Sequence, residues 1–125
     1  MQQNNRILFS LDAAIRFYLN GTLTLDRRLL SDFLRELHTI RLWFEDQRVY
    51  RFFATSLLLV YDADFLMHSS PTDSKTIAPI VRVRMIDFAH VYPAEGARDA
   101  NYIHGLCNLI DIFEDFYREA TTKGQ

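Results

Sequence analysis

The sequence predicts an α+β fold in which antiparallel strands are flanked by helices. Three observations support this prediction: a long segment with helical periodicity, a later segment that alternates like a strand, and a second long helical pattern near the end. The chain has 125 residues, of which 49% are hydrophobic and 24% charged, an ordinary globular composition. Residues 1–125 are therefore expected to form a single domain or a part of one.

Two helices are predicted in the first part of the chain. Ser10 is a suitable N-cap for a short helix that ends before Gly21. Beyond Thr24, a candidate N-cap, apolar residues recur with a period of about 3.6 residues as far as about Trp43 and Phe44. The longer pattern predicts an amphipathic helix. Its apolar positions are Leu25, Leu29, Leu30, Phe33, Leu34, Leu37 and Ile40.

Strands are expected in the middle of the chain. Residues 49–61 have the aromatic and aliphatic composition of strands, with a bend or strand switch at residues 54–56. Residues 62–79 are rich in turn-forming residues and predict a flexible loop. In residues 80–86 apolar residues alternate with arginines, which predicts a strand antiparallel to the preceding one.

The last quarter of the chain is expected to hold a loop and a helix. Residues 91–100, around Pro93 and Gly96, predict the loop. The following segment shows apolar residues along one helical face, which predicts the helix. These residues are Tyr102, Ile103, Leu106, Leu109, Ile110, Phe113 and Phe116.

Composition excludes several classes of protein. A net charge of −2 argues against a free-standing nucleic-acid binder, so no nucleic-acid partner is expected. The four glycines are far apart and cannot form a glycine-rich phosphate-binding loop. Cys107 is the single cysteine, and no apolar stretch has the length of a signal peptide or a membrane span. The protein is therefore expected in the cytoplasm, the nucleus or both.

Asp87 is the first candidate site residue, because it ends an apolar strand and would emerge at the rim of the core. A carboxylate in that position suits Mg²⁺, which is held by one or two carboxylates while nucleotide phosphates fill other positions. The alternative is a turn residue that caps backbone N–H groups. Sequence alone leaves both interpretations open.

Ser56 and His90 are the other candidates. His90 lies three residues after Asp87 and could donate a hydrogen bond to a substrate hydroxyl or phosphate, or be an ordinary exposed loop histidine. The Ser56 hydroxyl, at the break in the strand pattern, could bond a phosphate or merely satisfy a bulge. Arg82 and Arg84 share one strand face and are more typical of a solvated face than of an anion site.

Three segments resemble the signatures of inositol polyphosphate kinases and occur in the same order. They are TSLLLVY at residues 55–61, VRMIDFAH at 83–90 and NYIHGL at 101–106. The resemblance extends over nearly the whole chain from about Arg6. The Trp-Phe-Glu run at residues 43–45 and AHVYP at residues 89–93 look closest to the multikinase branch, and the hexakisphosphate kinases are the near alternative.

This resemblance implies that the chain is the C-terminal lobe of a two-lobed, kinase-like (SAICAR synthase-like) fold with ATP in the cleft between the lobes. It implies that Asp87 coordinates the Mg²⁺ that bridges the ATP phosphates. Ser56 would stand near the nucleotide phosphates. His90 would contact the inositol polyphosphate substrate.

The family's Pro-x-x-x-Asp-x-Lys-x-Gly element and its N-terminal lobe have no counterpart in the sequence. Lys75 and Lys123, the only lysines, lie in a polar segment and in the tail. The N-terminal lobe is therefore expected as a partner, and the isolated chain is expected to be inactive, because phosphoryl transfer needs positive charge around the phosphates. The alternative is a non-catalytic remnant of a kinase lobe that acts as an interaction module.

Overall fold

A computed structural model describes residues 10–19, 25–68 and 81–123 of the chain. In these ranges, helices and antiparallel strand pairs are mixed, which confirms the predicted α+β class. No helix in the described ranges is both long and apolar enough to cross a membrane. The elements are α1 Leu11–Tyr18, α2 Arg27–Asp46, β1 Tyr50–Phe52, β2 Ser56–Tyr61, α3 Ala63–Met67, β3 Val81–Ile86, β4 Val91–Pro93 and α4 Ala100–Lys123.

The first two helices begin at side-chain caps. Ser10 caps α1 as predicted, because its Oγ accepts the Ala13 N–H at 3.4 Å. The cap of α2 is Asp26, whose carboxylate accepts the Arg28 N–H at 2.9 Å, and not the predicted Thr24, which lies outside the described residues. An aspartate in this position satisfies N–H groups that have no partner within the helix.

The core forms where α2 and α4 pack against each other and against the β2–β3 pair. The rings of Phe33 and Phe113, both fully buried, lie 5.3 Å apart at the centre of this contact. Burial of each such side chain stabilises the fold by about 1.5–3 kcal/mol. The buried face of α2 consists of Leu29, Leu30, Phe33, Leu37 and Phe44.

The strand β2 pairs with β3 in antiparallel register along all six residues of each strand, as predicted. Val81 and Val83 are buried against the helices, whereas Arg82 and Arg84 are exposed. The interpretation of the two arginines as a solvated face is therefore confirmed. A two-stranded pair is marginal alone, so its stability depends on the helices behind it.

The helix α1 is attached to both α4 and β2. Arg16 donates to the two carboxylate oxygens of Glu119 at 2.6 and 3.0 Å, and this hydrogen bonding raises the pKa of Arg16. The Tyr18 hydroxyl donates to the Leu59 carbonyl at 2.7 Å, and the Tyr61 hydroxyl donates to the Tyr18 carbonyl at 2.8 Å. These reciprocal bonds fix the end of α1 beside β2.

The predicted loop at residues 62–79 is wrong in its first part, where the chain forms α3, Ala63–Met67. Asp62 caps this helix by accepting the Phe65 N–H at 3.0 Å. The same aspartate that indicates a turn is therefore an N-cap, because both structures use a short acceptor side chain. Residues 69–79 lie outside the described ranges.

The predicted loop at residues 91–100 is wrong at its start, where Val91–Pro93 form β4 and pair with β1 in antiparallel register. Pro93 is the last residue of this strand and lies opposite Tyr50. Proline is tolerated at a strand end of this kind, since no ladder hydrogen bond from its nitrogen is required. The loop itself is confined to residues 94–99.

Candidate functional site

The two strand pairs are formed by the same two chain segments, separated by an interruption. The β2–β3 ladder ends at the pair Ser56–Ile86, and pairing resumes where the Phe53 N–H donates to the His90 carbonyl at 2.9 Å. Two residues, 54–55, and three residues, 87–89, lie between these points and are called the sheet break below. One segment is longer by a residue, which is the irregularity of a β-bulge.

Both segments of the sheet break contain a left-handed residue. Ala54 has φ of +57° and Asp87 has φ of +67°. This conformation is uncommon for residues other than glycine, and aspartate tolerates it better than alanine does. The bend predicted at residues 54–56 is therefore confirmed, and Asp87 is itself a point where the chain turns.

The three predicted site residues all lie in the sheet break or at its ends. Asp87 directly follows Ile86, the cross-strand partner of Ser56, and His90 closes the break on the same segment. All three side chains are exposed. Their positions suit a shared site, and their individual roles stay predictions.

The carboxylate of Asp87 has no hydrogen bond or ion pair in the part of the chain that the structure describes. Capping of backbone N–H groups, the alternative interpretation, is thus not its role among these residues. The Ser56 hydroxyl and the His90 ring are equally free in the described ranges. All three polar groups are available to a ligand.

An exposed, unengaged carboxylate fits a hard divalent cation, which prefers oxygen ligands and retains water or phosphate oxygens in its other positions. The described ranges hold no group of three or more His, Cys, Asp or Glu side chains that could form a complete metal site. Asp87 therefore suits a cation shared with nucleotide phosphates better than a cation held by protein ligands alone.

Asp99 is a residue of this region that sequence reasoning missed. Its side chain is buried, with 3% of the residue surface exposed, and its carboxylate accepts the Phe52 N–H at 2.7 Å and the Tyr102 N–H at 3.1 Å. One carboxylate thus caps α4 and holds β1 beside it. The available signal was an aspartate three residues before the first apolar position of a predicted helix.

An aromatic cluster supports the same side of the sheet break. The rings of Phe44 and Tyr102 stack at 4.1 Å, and Phe52 lies 5.4 Å from Phe44 and 6.1 Å from Phe88. Phe88 belongs to the break, so this contact connects the residue after Asp87 to the core. Burial, and secondarily the charge of Asp99, raises the pKa of Tyr102 to about 12.

Two clefts lie at the start of α4, one beside the sheet break and the other beside Arg51 of β1. One of about 370 Å³ is mainly apolar, and the other of about 540 Å³ contains Arg51, Arg98 and His104. Asn101 lines both, so the clefts adjoin. Neither lining includes Asp87, Ser56 or His90, which therefore lie beside the clefts rather than inside them.

Comparison of the sequence with known proteins gives consistent results. The inositol polyphosphate kinase family matches residues 5–114. The inositol polyphosphate multikinase IPK2 of Oryza sativa subsp. indica is 38% identical over 72% of this chain and 30% of its own length. Human inositol hexakisphosphate kinase 2 is 32% identical over 87% of this chain and 32% of its own length. The chain spans about a third of the length of these relatives.

A crystal structure of the inositol phosphate multikinase Ipk2 of S. cerevisiae, in complex with ADP and Mn²⁺, is similar with a TM-score of 0.64 and 26% identity. The match covers 85% of this chain and 45% of that protein. The predicted kinase-like fold is confirmed by this likeness. From the family match and these relatives together, the chain belongs to the inositol polyphosphate kinase family.

Proposed function

We propose that the protein containing this chain transfers a phosphoryl group from ATP to hydroxyls of inositol polyphosphates, and that the chain supplies the metal-binding part of the active site. The observation that carries the proposal is the unengaged carboxylate of Asp87 at the sheet break, beside Ser56 and His90. Family membership supports the same reaction. Mg²⁺ is the proposed ion, and the yeast relative holds Mn²⁺ with ADP.

Each site residue has a proposed task. Asp87 holds the divalent cation, which when bound neutralises charge on the ATP phosphates. The Ser56 hydroxyl donates a hydrogen bond to a phosphate oxygen of the nucleotide. His90 orients the inositol polyphosphate by a hydrogen bond from its ring. The left-handed backbone at Asp87 turns its carboxylate out of the ladder, and the Phe52–Phe88 contact supports that turn.

The other half of the site is proposed to come from an N-terminal lobe. Phosphoryl transfer depends on cationic groups that stabilise charge on the transferred phosphate. We assign the cationic groups to that partner lobe and to the Asp-x-Lys-x-Gly element, which contributes a lysine together with the catalytic aspartate. The proposed compartment is the cytoplasm, the nucleus or both, which a fluorescent fusion of the complete protein would reveal.

We prefer the multikinase branch, whose substrates would be inositol polyphosphates with free hydroxyls. The identity of 38% to the rice multikinase supports this choice. The hexakisphosphate kinase alternative is supported by a longer match, over 87% of the chain, to the human enzyme. Inositol hexakisphosphate has no free hydroxyl. Product formation from that substrate alone would favour the alternative, whereas product from less phosphorylated inositols would favour the multikinase.

The decisive experiment replaces Asp87 by Asn in the complete protein. We expect kcat to fall by at least about a hundredfold, because an amide carries no charge to hold the cation beside the phosphates. Product formation from ATP and inositol polyphosphates is measured by chromatography of the labelled products.

The matched control is Asp111→Asn, which removes the same charge from the exposed surface of α4 and should leave kcat unchanged. Turnover by Asp87→Asn at the wild-type rate would show that Asp87 is not a ligand of the metal ion. Absence of product from every inositol polyphosphate tested with the wild-type protein would contradict the proposed function itself.

A further inference from the structure

The strands β1 and β4 share an exposed face. Of the residues on this face, only His90 has a role in the proposed function. Arg51 lies opposite Tyr92, and the Phe53 N–H bonds the His90 carbonyl. Directly paired residues on antiparallel strands project to the same side, and residues two apart on one strand do so as well. One face therefore carries Arg51, Phe53, His90 and Tyr92, all exposed. It is called the arginine face below.

The side chains of this face contact one another. The Arg51 guanidinium carbon lies 5.6 Å from the centroid of the Phe53 ring, within range of a cation–π contact. The Phe53 and Tyr92 rings lie 5.6 Å apart in an edge-to-face arrangement. Stacking on an aromatic ring leaves the edge of a guanidinium, where its N–H donors lie, open to an anion.

No carboxylate neutralises Arg51 in the part of the chain that the structure describes. It also lines the cleft of about 540 Å³ that contains Arg98 and His104. The guanidinium of Arg98 reaches Glu45 only at 4.0 Å, and half of its side-chain surface is exposed. Arg51 thus stands between the histidine assigned to the substrate and a second cationic group.

We infer that Arg51 binds a phosphate group of the inositol polyphosphate substrate, with Arg98 as a second cation in the adjoining cleft. The inference rests on the proposed function and adds a residue that neither the motifs nor the family resemblance assigned. A guanidinium forms paired, charge-assisted hydrogen bonds with phosphate oxygens. The register places Arg51 two pairs away from His90 on the same face, so both can contact one polyphosphorylated ring.

The test compares Arg51→Gln with Arg118→Gln in the complete protein. Arg118 lies far along α4 and pairs with Asp115 at the surface, so its replacement removes the same charge away from the arginine face. We expect Arg51→Gln to raise KM for an inositol polyphosphate by about tenfold to a hundredfold, the effect of losing a charged hydrogen bond. The KM for ATP and kcat should change by less than about threefold.

Two further measurements separate substrate binding from a structural effect. Arg51→Lys should restore part of the loss, because a lysine keeps the charge without the paired donors. The KM increase should be larger for substrates with more phosphates, whereas a folding defect would reduce kcat for all substrates alike and lower Tm.

An unchanged KM for the inositol polyphosphate in Arg51→Gln, with the wild type active and Asp87→Asn inactive, overturns this inference and leaves the proposed function intact. A fall in Tm and kcat without a change in KM overturns it as well, since it makes Arg51 a structural residue. A wild-type protein that phosphorylates no inositol polyphosphate overturns the proposed function and the inference together.

Discussion

At the scale of single residues, aspartates serve different purposes in this chain. Asp26, Asp62 and Asp99 accept hydrogen bonds from backbone N–H groups at the starts of helices. Asp87 has no such bond within the described ranges and stands in a left-handed conformation. The three capping aspartates therefore stabilise the fold, whereas Asp87 is available to a ligand. Backbone strain that local bonding does not compensate is a feature of functional sites.

Tyr102 gives a prediction about pH. Its pKa is raised from 10 to about 12 in the folded protein, so the stabilisation from its neutral phenol is fully present below pH 10. That contribution is lost as the pH rises through about 12, because the unfolded chain ionises first. We expect the free energy of unfolding, measured by denaturant titration, to decline over this interval more steeply in the wild type than in Tyr102→Phe.

At neutral pH the Tyr102→Phe variant should be as stable as the wild type or more so. The Tyr102 hydroxyl is buried without a hydrogen-bond partner among the described residues, and removing such a group carries no bonding loss. If the free energy of unfolding declined equally steeply with pH in both proteins between pH 10 and 12, the raised pKa of Tyr102 would be contradicted.

At the scale of elements, the sheet break contains Ala54, an alanine in a left-handed backbone conformation that disfavours a side chain. Ala54 adopts φ of +57°, whereas glycine adopts this conformation without a steric cost. We expect Ala54→Gly to raise the free energy of unfolding by up to about 1 kcal/mol, as measured by chemical denaturation.

The control for Ala54→Gly is Ala97→Gly, in an exposed alanine that does not have a positive φ. This second change should lower stability slightly, because it only adds freedom to the unfolded chain. Equal loss of stability in both variants would mean that the left-handed conformation at Ala54 carries no strain.

Element boundaries show where sequence reasoning succeeds and where it does not. Periodicity predicted α2, α4 and β3, because each is determined by the burial of one face, and aromatic and aliphatic composition predicted β2. It missed β4, which is defined by its pairing to β1 across a long stretch of chain. It also missed α3, whose five residues are too few for a helical period to be detected.

The candidate site was also predictable only in part, because some of its residues are identified by contacts between distant parts of the chain. Ser56, Asp87 and His90 were singled out by their positions near strand ends, and the family resemblance then implied their roles. Asp99 and Arg51 act through long-range geometry, since the bond from Phe52 to Asp99 and the register opposite Tyr92 exist only in the folded chain. Composition and spacing contain little information on such contacts.

At the scale of the whole molecule, one core links the helices to both strand pairs. The site at the sheet break is open: its three polar side chains are exposed, and the two clefts lie beside it. Catalysis of phosphoryl transfer requires that water be excluded and that charges surround the phosphates. A second lobe would satisfy both requirements.

We therefore expect the isolated chain to form no product from ATP and inositol polyphosphates, while the complete protein does. Labelled-product chromatography of both proteins under the same conditions measures the difference. Turnover by the isolated chain close to that of the complete protein would show that the open site is sufficient.

The unequal segments of the sheet break also restrict how the gene can change length. Deleting one residue from 87–89 would equalise the two segments, so the pairs Ser56–Ile86 and Phe53–His90 would fit one continuous ladder. The deletion would remove the bulge and the left-handed turn at Asp87 while the ladders keep their register. In-frame deletions should therefore be selected against at this point through loss of the site rather than of the fold, even when an aspartate is retained.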